Sequence, residues 1–358
     1  MPVVRYLVDV RDDFDRAVLL ANRGLTLVSK TDRHYPALLN LLGKVKWQMS
    51  DYAAALRWVE QAQQAAEHIG DQQARADSLR IRGQVLTDKG DHSLAIDYFQ
   101  QSLAISRDIG DRQGTADNLL TLGIVIYNRG DYLLAGDYYQ QSLALYRDIG
   151  DQFGIANNLG NLGNVAESQG DFTAAKRYIE QAMALFQAIG NRRNVEICLS
   201  NLGNLAYKQG DYEAARHYLH QGLVMSREAG HRLHTTFALN TLSLVEMAQG
   251  HLTHAESLIH EALTLADTID ALPLLLETLV GLASLSLRTK AEVFAAELAG
   301  LIEHHPSLDN EVRVGEFAKL KRELDTAMSV EELAAALERG RALDARAVVQ
   351  KILTEKAS

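Results

Sequence analysis

The polar side chains best suited to bind a ligand are asparagines in the middle of apolar segments. Asn157, Asn161 and Asn164 fall in one such segment, and Asn201 and Asn204 fall in another. Asparagine is unfavourable inside a helix, by up to about 0.7 kcal/mol each relative to alanine. Its carboxamide both donates and accepts hydrogen bonds, so a row of asparagines could match the N–H and C=O groups of an extended peptide. Alternatively, these amides hydrogen-bond to a neighbouring element.

Histidines form a second group with chemical potential. They cluster at His217, His220, His231, His234, His251, His254 and His260. We expect the pair His231/His234 and the pair His251/His254 to begin different helices at opposite ends of a hairpin, about 25 Å apart. Because a metal ion needs rings that converge within a few ångströms, the sequence predicts no metal site and no cofactor.

A catalytic set is missing from the pattern. The serines lack the context of a nucleophile elbow, and no Gly-x-x-x-x-Gly-Lys-Ser/Thr phosphate loop occurs. The one cysteine, Cys198, lies beside Leu199 at a position that looks buried, where a thiol is usually inert. We therefore expect no catalytic residues and predict that the chain is not an enzyme.

These side chains must be positioned by a repeating pair of helices. Glycine recurs every 40 residues at positions 70, 110, 150, 190 and 230, and again at 90, 130, 170, 210 and 250. Most of these glycines precede an aspartate. Glycine adopts the left-handed conformation that ends a helix, and aspartate accepts hydrogen bonds from the first turn of the next. In residues 111–150 the pattern predicts helix A over about 112–128 and helix B over about 132–148.

Small residues recur in register within both helices. Leu-Gly pairs stand at 42–43, 122–123, 162–163 and 202–203, and alanines at 95, 135, 175 and 215 fall in helix B. This framework resembles the tetratricopeptide repeat family, in a 40-residue form of the repeat. The resemblance implies an all-α fold, a right-handed α–α superhelix in which helix A of each hairpin lines the concave surface.

The resemblance places a set of polar side chains on that concave surface. Family members that transfer sugars hold a peptide backbone with asparagines two residues before the helix A glycine. Asn161 and Asn201 match those positions, whereas Thr121 and Thr241 depart from them. The candidate ligand-binding residues are Arg80, Gln84, Asp117, Thr121, Tyr127, Asn157, Asn161, Asn164, Glu167, Asn201, Asn204, Tyr207 and Asn240.

Composition limits the partners. Lys and Arg total 36 against 46 Asp and Glu, a net charge of −10, which argues against nucleic acid. A single cysteine permits no intrachain disulfide and fits a reducing compartment, so we expect a cytoplasmic protein. No apolar run approaches the ~20 residues that span a membrane.

We predict three parts in the 358-residue chain. Residues 1–32 form a partial repeat, since Asp13 to Ala17 matches the start of helix B and residues 5–7 would end its helix A. Either the first residues form a cap or the chain is a piece of a longer protein; we favour the second. Seven hairpins follow over residues 33–306, the last without its Gly-Asp turn and ended by Pro306.

Residues 307–358 form a small helical C-terminal cap. We expect helices over about 310–325, 330–339 and 345–355, with a Ser329/Glu332 capping box, Gly340 ending the middle helix and Asp344 capping the last. This tail resembles that of bacterial signal-transduction ATPases with numerous domains (STAND proteins) and regulators related to the maltose activator. The resemblance implies a sensor for a protein, a peptide or a small inducer, with a nucleotide-binding domain upstream. The alternative is a free-standing adaptor that holds an extended peptide.

Overall fold

The structure is a computed structural model and describes residues 14–305, 307–308 and 312–357. The expectations for residues 5–7, Asp13 and Pro306 fall outside these residues. Contacts divide the chain into two compact units, Met1–Asn191 and Arg192–Ser358, here called unit 1 and unit 2. No strand occurs in the described ranges, which confirms the all-α fold class.

Both units are built from antiparallel helical hairpins. In the described part of unit 1 the helices are α1 (Phe14–Leu27), α2 (His34–Gln48), α3 (Tyr52–Ile69), α4 (Gln72–Asp88), α5 (His92–Asp108), α6 (Arg112–Asn128), α7 (Tyr132–Ile149), α8 (Gln152–Ser168) and α9 (Phe172–Ala188). In unit 2 they are α10 (Arg192–Lys208), α11 (Tyr212–Ala229), α12 (Arg232–Ala248), α13 (Leu252–Thr268), α14 (Leu272–Arg288), α15 (Glu292–Glu303), α16 (Ala318–Ala327), α17 (Val330–Arg341) and α18 (Ala345–Ala357). The even-numbered helices from α2 to α14 are the A helices.

The turns form as the Gly-Asp pattern predicts. Gly130 has a φ of 86°, and the carboxylate of Asp131 accepts a hydrogen bond of 3.1 Å from the Leu134 amide. The left-handed turn persists where glycine is absent, since Asp270 and Lys290 have φ values of 56° and 64°. The loss of Gly-Asp in the last hairpin therefore leaves its backbone path unchanged.

The glycine inside each A helix lets the two helices of a hairpin approach. A Cβ atom on Gly123 would lie 2.5 Å from the ring of Tyr139, which is 2% exposed. The equivalent Gly163 would meet Ile179 at 2.7 Å. These contacts offset the roughly 1 kcal/mol that a glycine costs inside a helix.

The C-terminal helices pack on α13, α14 and α15 in one apolar cluster that includes Phe317, Leu320 and Val349. A short π-helical turn, Arg313–Phe317, precedes α16. The expected Ser329 capping box is present, and Asp344 caps α18 through a 2.9 Å hydrogen bond to the Ala347 amide.

Our expectation that Gly340 ends a helix is wrong. Gly340 lies inside α17, which continues to Arg341. A Cβ atom there would stand 2.0 Å from the carbonyl oxygen of Glu297, and one on Gly300 would stand 2.2 Å from that of Leu337. The two glycines therefore permit backbone contact where α15 and α17 cross.

Candidate functional site

A polar face on helix α8 in unit 1 carries the sequence-predicted asparagines. Asn157, Gly160, Asn161 and Asn164 are spaced three or four residues apart, so they share one side of the helix. All four are half-buried. The side chains of Asn157 and Asn161 make no hydrogen bond to any residue that the structure describes. A Cβ on Gly160 would meet nothing within 4 Å, so space lies open beside these amides.

Arg80 and Asp117 belong to a polar network that joins helices α4, α6 and α7. An Arg80 Nη2 lies 2.8 Å from Asp77 and 3.6 Å from Asp117, and the Tyr146 hydroxyl donates to Asp117. Although burial opposes its charge, Asp117 and Asp77 raise the pKa of Arg80 above its usual value. Burial, and then Asp117, raise the pKa of Tyr146. Both candidate residues are therefore occupied in packing the repeats.

The other unit 1 candidates divide between packing and surface. Thr121 is buried and donates to the carbonyl of Asp117 at 3.0 Å. The Tyr127 hydroxyl is 2.8 Å from that of Ser168, joining α6 to α8. The Oε1 of half-buried Gln84 is enclosed without a hydrogen-bond partner in the described ranges. Glu167 is half-buried at the end of the α8 face.

Unit 2 contains a cleft of about 610 Å³ at the C-terminal ends of its A helices. Tyr207, Met247 and Arg288 line one side, and Glu316 and Lys319 from the tail line the other. The Tyr207 hydroxyl donates to Glu316 at 3.3 Å. Burial, together with the carboxylate of Glu316, raises the pKa of Tyr207, so its hydroxyl stays protonated. The cleft brings one predicted residue together with tail residues that sequence reasoning did not select.

Among the unit 2 asparagines, Asn240 belongs to the packing of adjacent hairpins. It is 6% exposed and accepts a 2.9 Å hydrogen bond from Thr278. Asn40 does the same in unit 1, where it accepts from Ser78 at 2.8 Å. Asn201 and Asn204 are half-buried on α10.

A cluster of one glutamate and two histidines, residue types that can ligate a metal ion, is the feature that sequence reasoning missed. Glu196 on α10 is 1% exposed, and its Oε2 lies 2.8 Å from Nδ1 of His231 and 3.1 Å from Nδ1 of His234. His231 is the residue before α12, and its ring contacts Glu196 rather than the free amides of its own helix. The two histidine pairs do begin different helices, but His231 and His234 converge on a glutamate that the sequence analysis did not consider.

Two further sequence inferences concern the environment of the chain. Cys198 is buried, and burial raises the pKa of its thiol to about 12, so it is not a nucleophile at neutral pH. Among the described residues no helix is both long and apolar enough to cross a membrane.

The family is shown by comparison with known proteins. Residues 116–277 match the model of the MalT-like TPR region, and residues 35–108 match a tetratricopeptide repeat model. Between them the matches cover more than half of the chain, which therefore belongs to the tetratricopeptide repeat family. Its fold is that of a protein-interaction module, and neither of the two matching models describes a catalytic family. No curated protein matches the sequence.

Solved structures with the same fold include three of different roles. A STAND protein with a tetratricopeptide repeat sensor from Pyrococcus horikoshii is 16% identical with a TM-score of 0.60; the match covers 93% of this chain and 47% of that one. A Rap conjugation gene regulator of the plasmid pLS20, in complex with the Phr* peptide, is 17% identical with a TM-score of 0.59, over 82% and 76%. BtubC from P. vanneervenii is 20% identical with a TM-score of 0.52, over 62% and 91%.

Proposed function

We propose that this chain is the sensing and interaction module of a bacterial signal-transduction or transcription regulator, and that it binds a protein or peptide through its A helices. The observation that carries the proposal is the α8 face. Asn157 and Asn161 are half-buried, have no hydrogen-bond partner among the described residues and stand beside the open space at Gly160. Two carboxamides one helical turn apart offer donors and acceptors at a spacing that suits a peptide main chain.

The set of proposed contact residues is smaller than the set predicted from the sequence. In unit 1 they are Asn157, Asn161, Asn164 and Glu167, and in unit 2 they are Asn201, Asn204 and Tyr207. We leave out Thr121 and Asn240 because both are buried. We also leave out Arg80, Gln84, Asp117 and Tyr127, because their described contacts or burial are internal.

The cleft of unit 2 supports a small inducer as a second candidate ligand. Its volume of about 610 Å³ falls within the range of roughly 300–1,000 Å³ usual for small-molecule sites. Arg288 and Lys319 stand in it with Glu316 and Glu323. Such a lining favours a ligand that carries both charges.

The proposal that the chain belongs to a regulator is based on its similarity to known proteins. The MalT-like match over residues 116–277 and the fold of the STAND sensor support a nucleotide-binding domain upstream. The proposed division of the chain is the one predicted from sequence, with residues 1–32 as a partial repeat, residues 33–306 as the solenoid and residues 307–358 as its cap. The alternative is a free-standing cytoplasmic adaptor for an extended peptide, and the Rap regulator with its bound peptide supports this possibility. A reading frame that continues upstream of Met1 into a phosphate-loop ATPase would favour the sensor, and a start codon at Met1 without one would favour the adaptor.

A pulldown with matched variants tests the binding face. We expect Asn157→Ala/Asn161→Ala to weaken capture of the bound species about tenfold, because each lost hydrogen bond costs ~0.5–1.5 kcal/mol. Gln181→Ala is the control, since it removes an exposed carboxamide from the partner helix α9. Mass spectrometry of proteins, peptides and metabolites identifies the species. Equal capture by the double variant and the control would contradict the α8 face.

A further inference from the structure

Glu196, His231 and His234 form a group that peptide binding does not require. One ligand atom from each lies within 4.8 Å of the other two. Glu196 is 1% exposed, and its second carboxylate oxygen, Oε1, has no hydrogen-bond partner within the described ranges. A buried carboxylate with an unpaired oxygen is costly unless another group compensates it.

All three residues interrupt the repeat at once. The position of Glu196 holds Ala76, Ala116 and Ala156 in the preceding repeats. The position of His234 holds Ala74, Gly114 and Gly154 in three earlier repeats and Asn194 in the repeat directly before. The position of His231 holds Asp71, Asp111 and Asp151, and then Asn191. From residue 71 onward, the preceding repeats carry neither a glutamate nor a histidine at any of these three positions, and here the three side chains touch one another.

The contacts leave the Glu196 carboxylate short of one partner. Its Oε2 faces both Nδ1 atoms, whereas Oε1 has no hydrogen-bond partner among the described residues. A metal ion binds an unprotonated imidazole nitrogen and a carboxylate oxygen. A divalent cation at this place would bring a positive charge against the buried carboxylate.

The geometry fits zinc-class coordination. Zinc lies about 2.0–2.2 Å from nitrogen and oxygen ligands, so neighbouring ligand atoms of a tetrahedron are roughly 3.3 Å apart. The Oε2–Nδ1 distances of 2.8 and 3.1 Å need to grow by only a few tenths of an ångström. The two rings meet at 73°, edge to face, with both Nδ1 atoms near one oxygen.

We propose that Glu196, His231 and His234 bind one divalent transition-metal ion of the zinc class. Three protein ligands leave one tetrahedral position for water or for a donor from a bound molecule. The ion would link α10 to the start of α12, two consecutive A helices of unit 2.

A second group in unit 2 has the same composition and provides a control. The Oε2 of Glu246 lies 2.8 Å from Nδ1 of His251 and 3.4 Å from Nδ1 of His254. Its Oε1 accepts a 2.8 Å hydrogen bond from Arg216, so this carboxylate already has a cationic partner. The three-ligand spacing found at Glu196 is not met by this group. We therefore expect no metal ion there.

The test is a titration of tag-free full-length protein with Co²⁺ and then Zn²⁺. We expect one ion per chain, with the visible absorption of tetrahedral cobalt displaced by zinc. His231→Asn should lower the affinity by about 100-fold or more, since loss of even an outer-shell partner costs about 10–100-fold. Asparagine already stands directly before α10 at the equivalent Asn191 and is a favoured residue at that position, so this variant should fold.

The matched control is His251→Asn, which makes the same change at the other histidine that directly precedes a helix and should leave the affinity unchanged. Glu196→Gln is a second ligand variant, and circular dichroism checks the fold of each. The proposal is overturned if the wild type fails to bind either ion, or if His231→Asn and His251→Asn bind equally well. Loss of affinity in His251→Asn alone would overturn it by moving the site to Glu246.

Discussion

Units 1 and 2 are built from one repeat but differ at their turns. In unit 1 every helix from α3 to α8 begins after an aspartate, and the turn before it is Gly-Asp except at Ser50. Unit 2 keeps Gly-Asp only before α11. Its other turns are Gly230-His231, Gly250-His251, Asp270-Ala271 and Lys290-Ala291. The helices nevertheless begin at equivalent positions in both units.

This difference shows that the hairpins form even where the Gly-Asp pair of the repeat pattern is absent. Asp270 and Lys290 adopt the left-handed φ without glycine, and α12 and α13 begin without a side-chain cap. Most helix stability in a protein comes from tertiary packing, which unit 2 retains. Positions released from capping can therefore carry other chemistry, as His231 does.

We expect the largest effect on the free energy of unfolding from Gly340, a glycine on α17, in the part of unit 2 that lies outside the repeats. Gly340→Ala should lower the free energy of unfolding by about 3 kcal/mol, the upper end of usual overpacking costs, because its Cβ would meet the backbone of Glu297 at 2.0 Å. Gly163→Ala in unit 1 should cost about 1 kcal/mol, since Ile179 presents a side chain that can move.

Urea denaturation followed by two spectroscopic signals can distinguish the unfolding of unit 1 from that of unit 2. Both tryptophans, Trp47 and Trp58, lie in unit 1, so their fluorescence reports that unit, whereas far-ultraviolet circular dichroism reports both. We expect Gly340→Ala to shift the dichroism transition and to leave the fluorescence transition in place. A common shift of both signals would mean that the chain unfolds as one body and that the comparison by unit fails.

We expect an intermediate, pH-dependent effect on the free energy of unfolding from Glu246, the buried glutamate that contacts His251 and His254. Burial raises the pKa of Glu246, but hydrogen bonds from His251 and Arg216 outweigh it and hold the pKa below the usual 4.5. This carboxylate therefore stabilises unit 2 above pH 4.5, and the stabilisation is lost as the pH falls through its lowered pKa.

Glu246→Gln should cost about 2 kcal/mol at pH 6, less than the ~3–5 kcal/mol of a fully buried pair because Arg216 is partly exposed. The difference from wild type should narrow below pH 4.5. Dichroism-monitored urea titrations at pH 6 and pH 3.5 measure it. If the difference in the free energy of unfolding between wild type and Glu246→Gln is the same at pH 6 and pH 3.5, the ionised carboxylate of Glu246 is not the source of that difference.

Most of the fold could be predicted from the sequence because its signals are local and repeated. The period of 40 residues placed each A and B helix, and the prediction for α6 and α7 is confirmed to within a residue. Gly340 shows where this reasoning fails. A glycine near the end of a helix and a glycine at a helix crossing have the same sequence signal, and only the position of Glu297 distinguishes them.

The candidate site was less predictable because the role of a polar side chain depends on its neighbour in the next repeat. Asn161 and Asn240 are both asparagines inside A helices. They stand at neighbouring positions of the repeat, and only Asn240 meets Thr278 of the next hairpin, a partner that its own segment does not reveal. For the Glu196 group a signal did exist, namely a charged residue where the preceding repeats have alanine. Departures from an internal repeat can therefore be read in one sequence, but their partners cannot.

The smallest expected effect isolates the left-handed turn itself. Lys290→Gly should raise the free energy of unfolding by up to about 1 kcal/mol, since the φ of 64° costs a residue with a Cβ roughly 1–2 kcal/mol and glycine avoids that cost. Lys89→Gly is the control in unit 1, where φ is −83° and glycine only adds flexibility to the unfolded chain. Both changes remove the same side chain, so the difference between them, measured by urea denaturation, reports the turn. If Lys290→Gly and Lys89→Gly lower the free energy of unfolding equally, the left-handed φ at Lys290 has no measurable cost to the stability of unit 2.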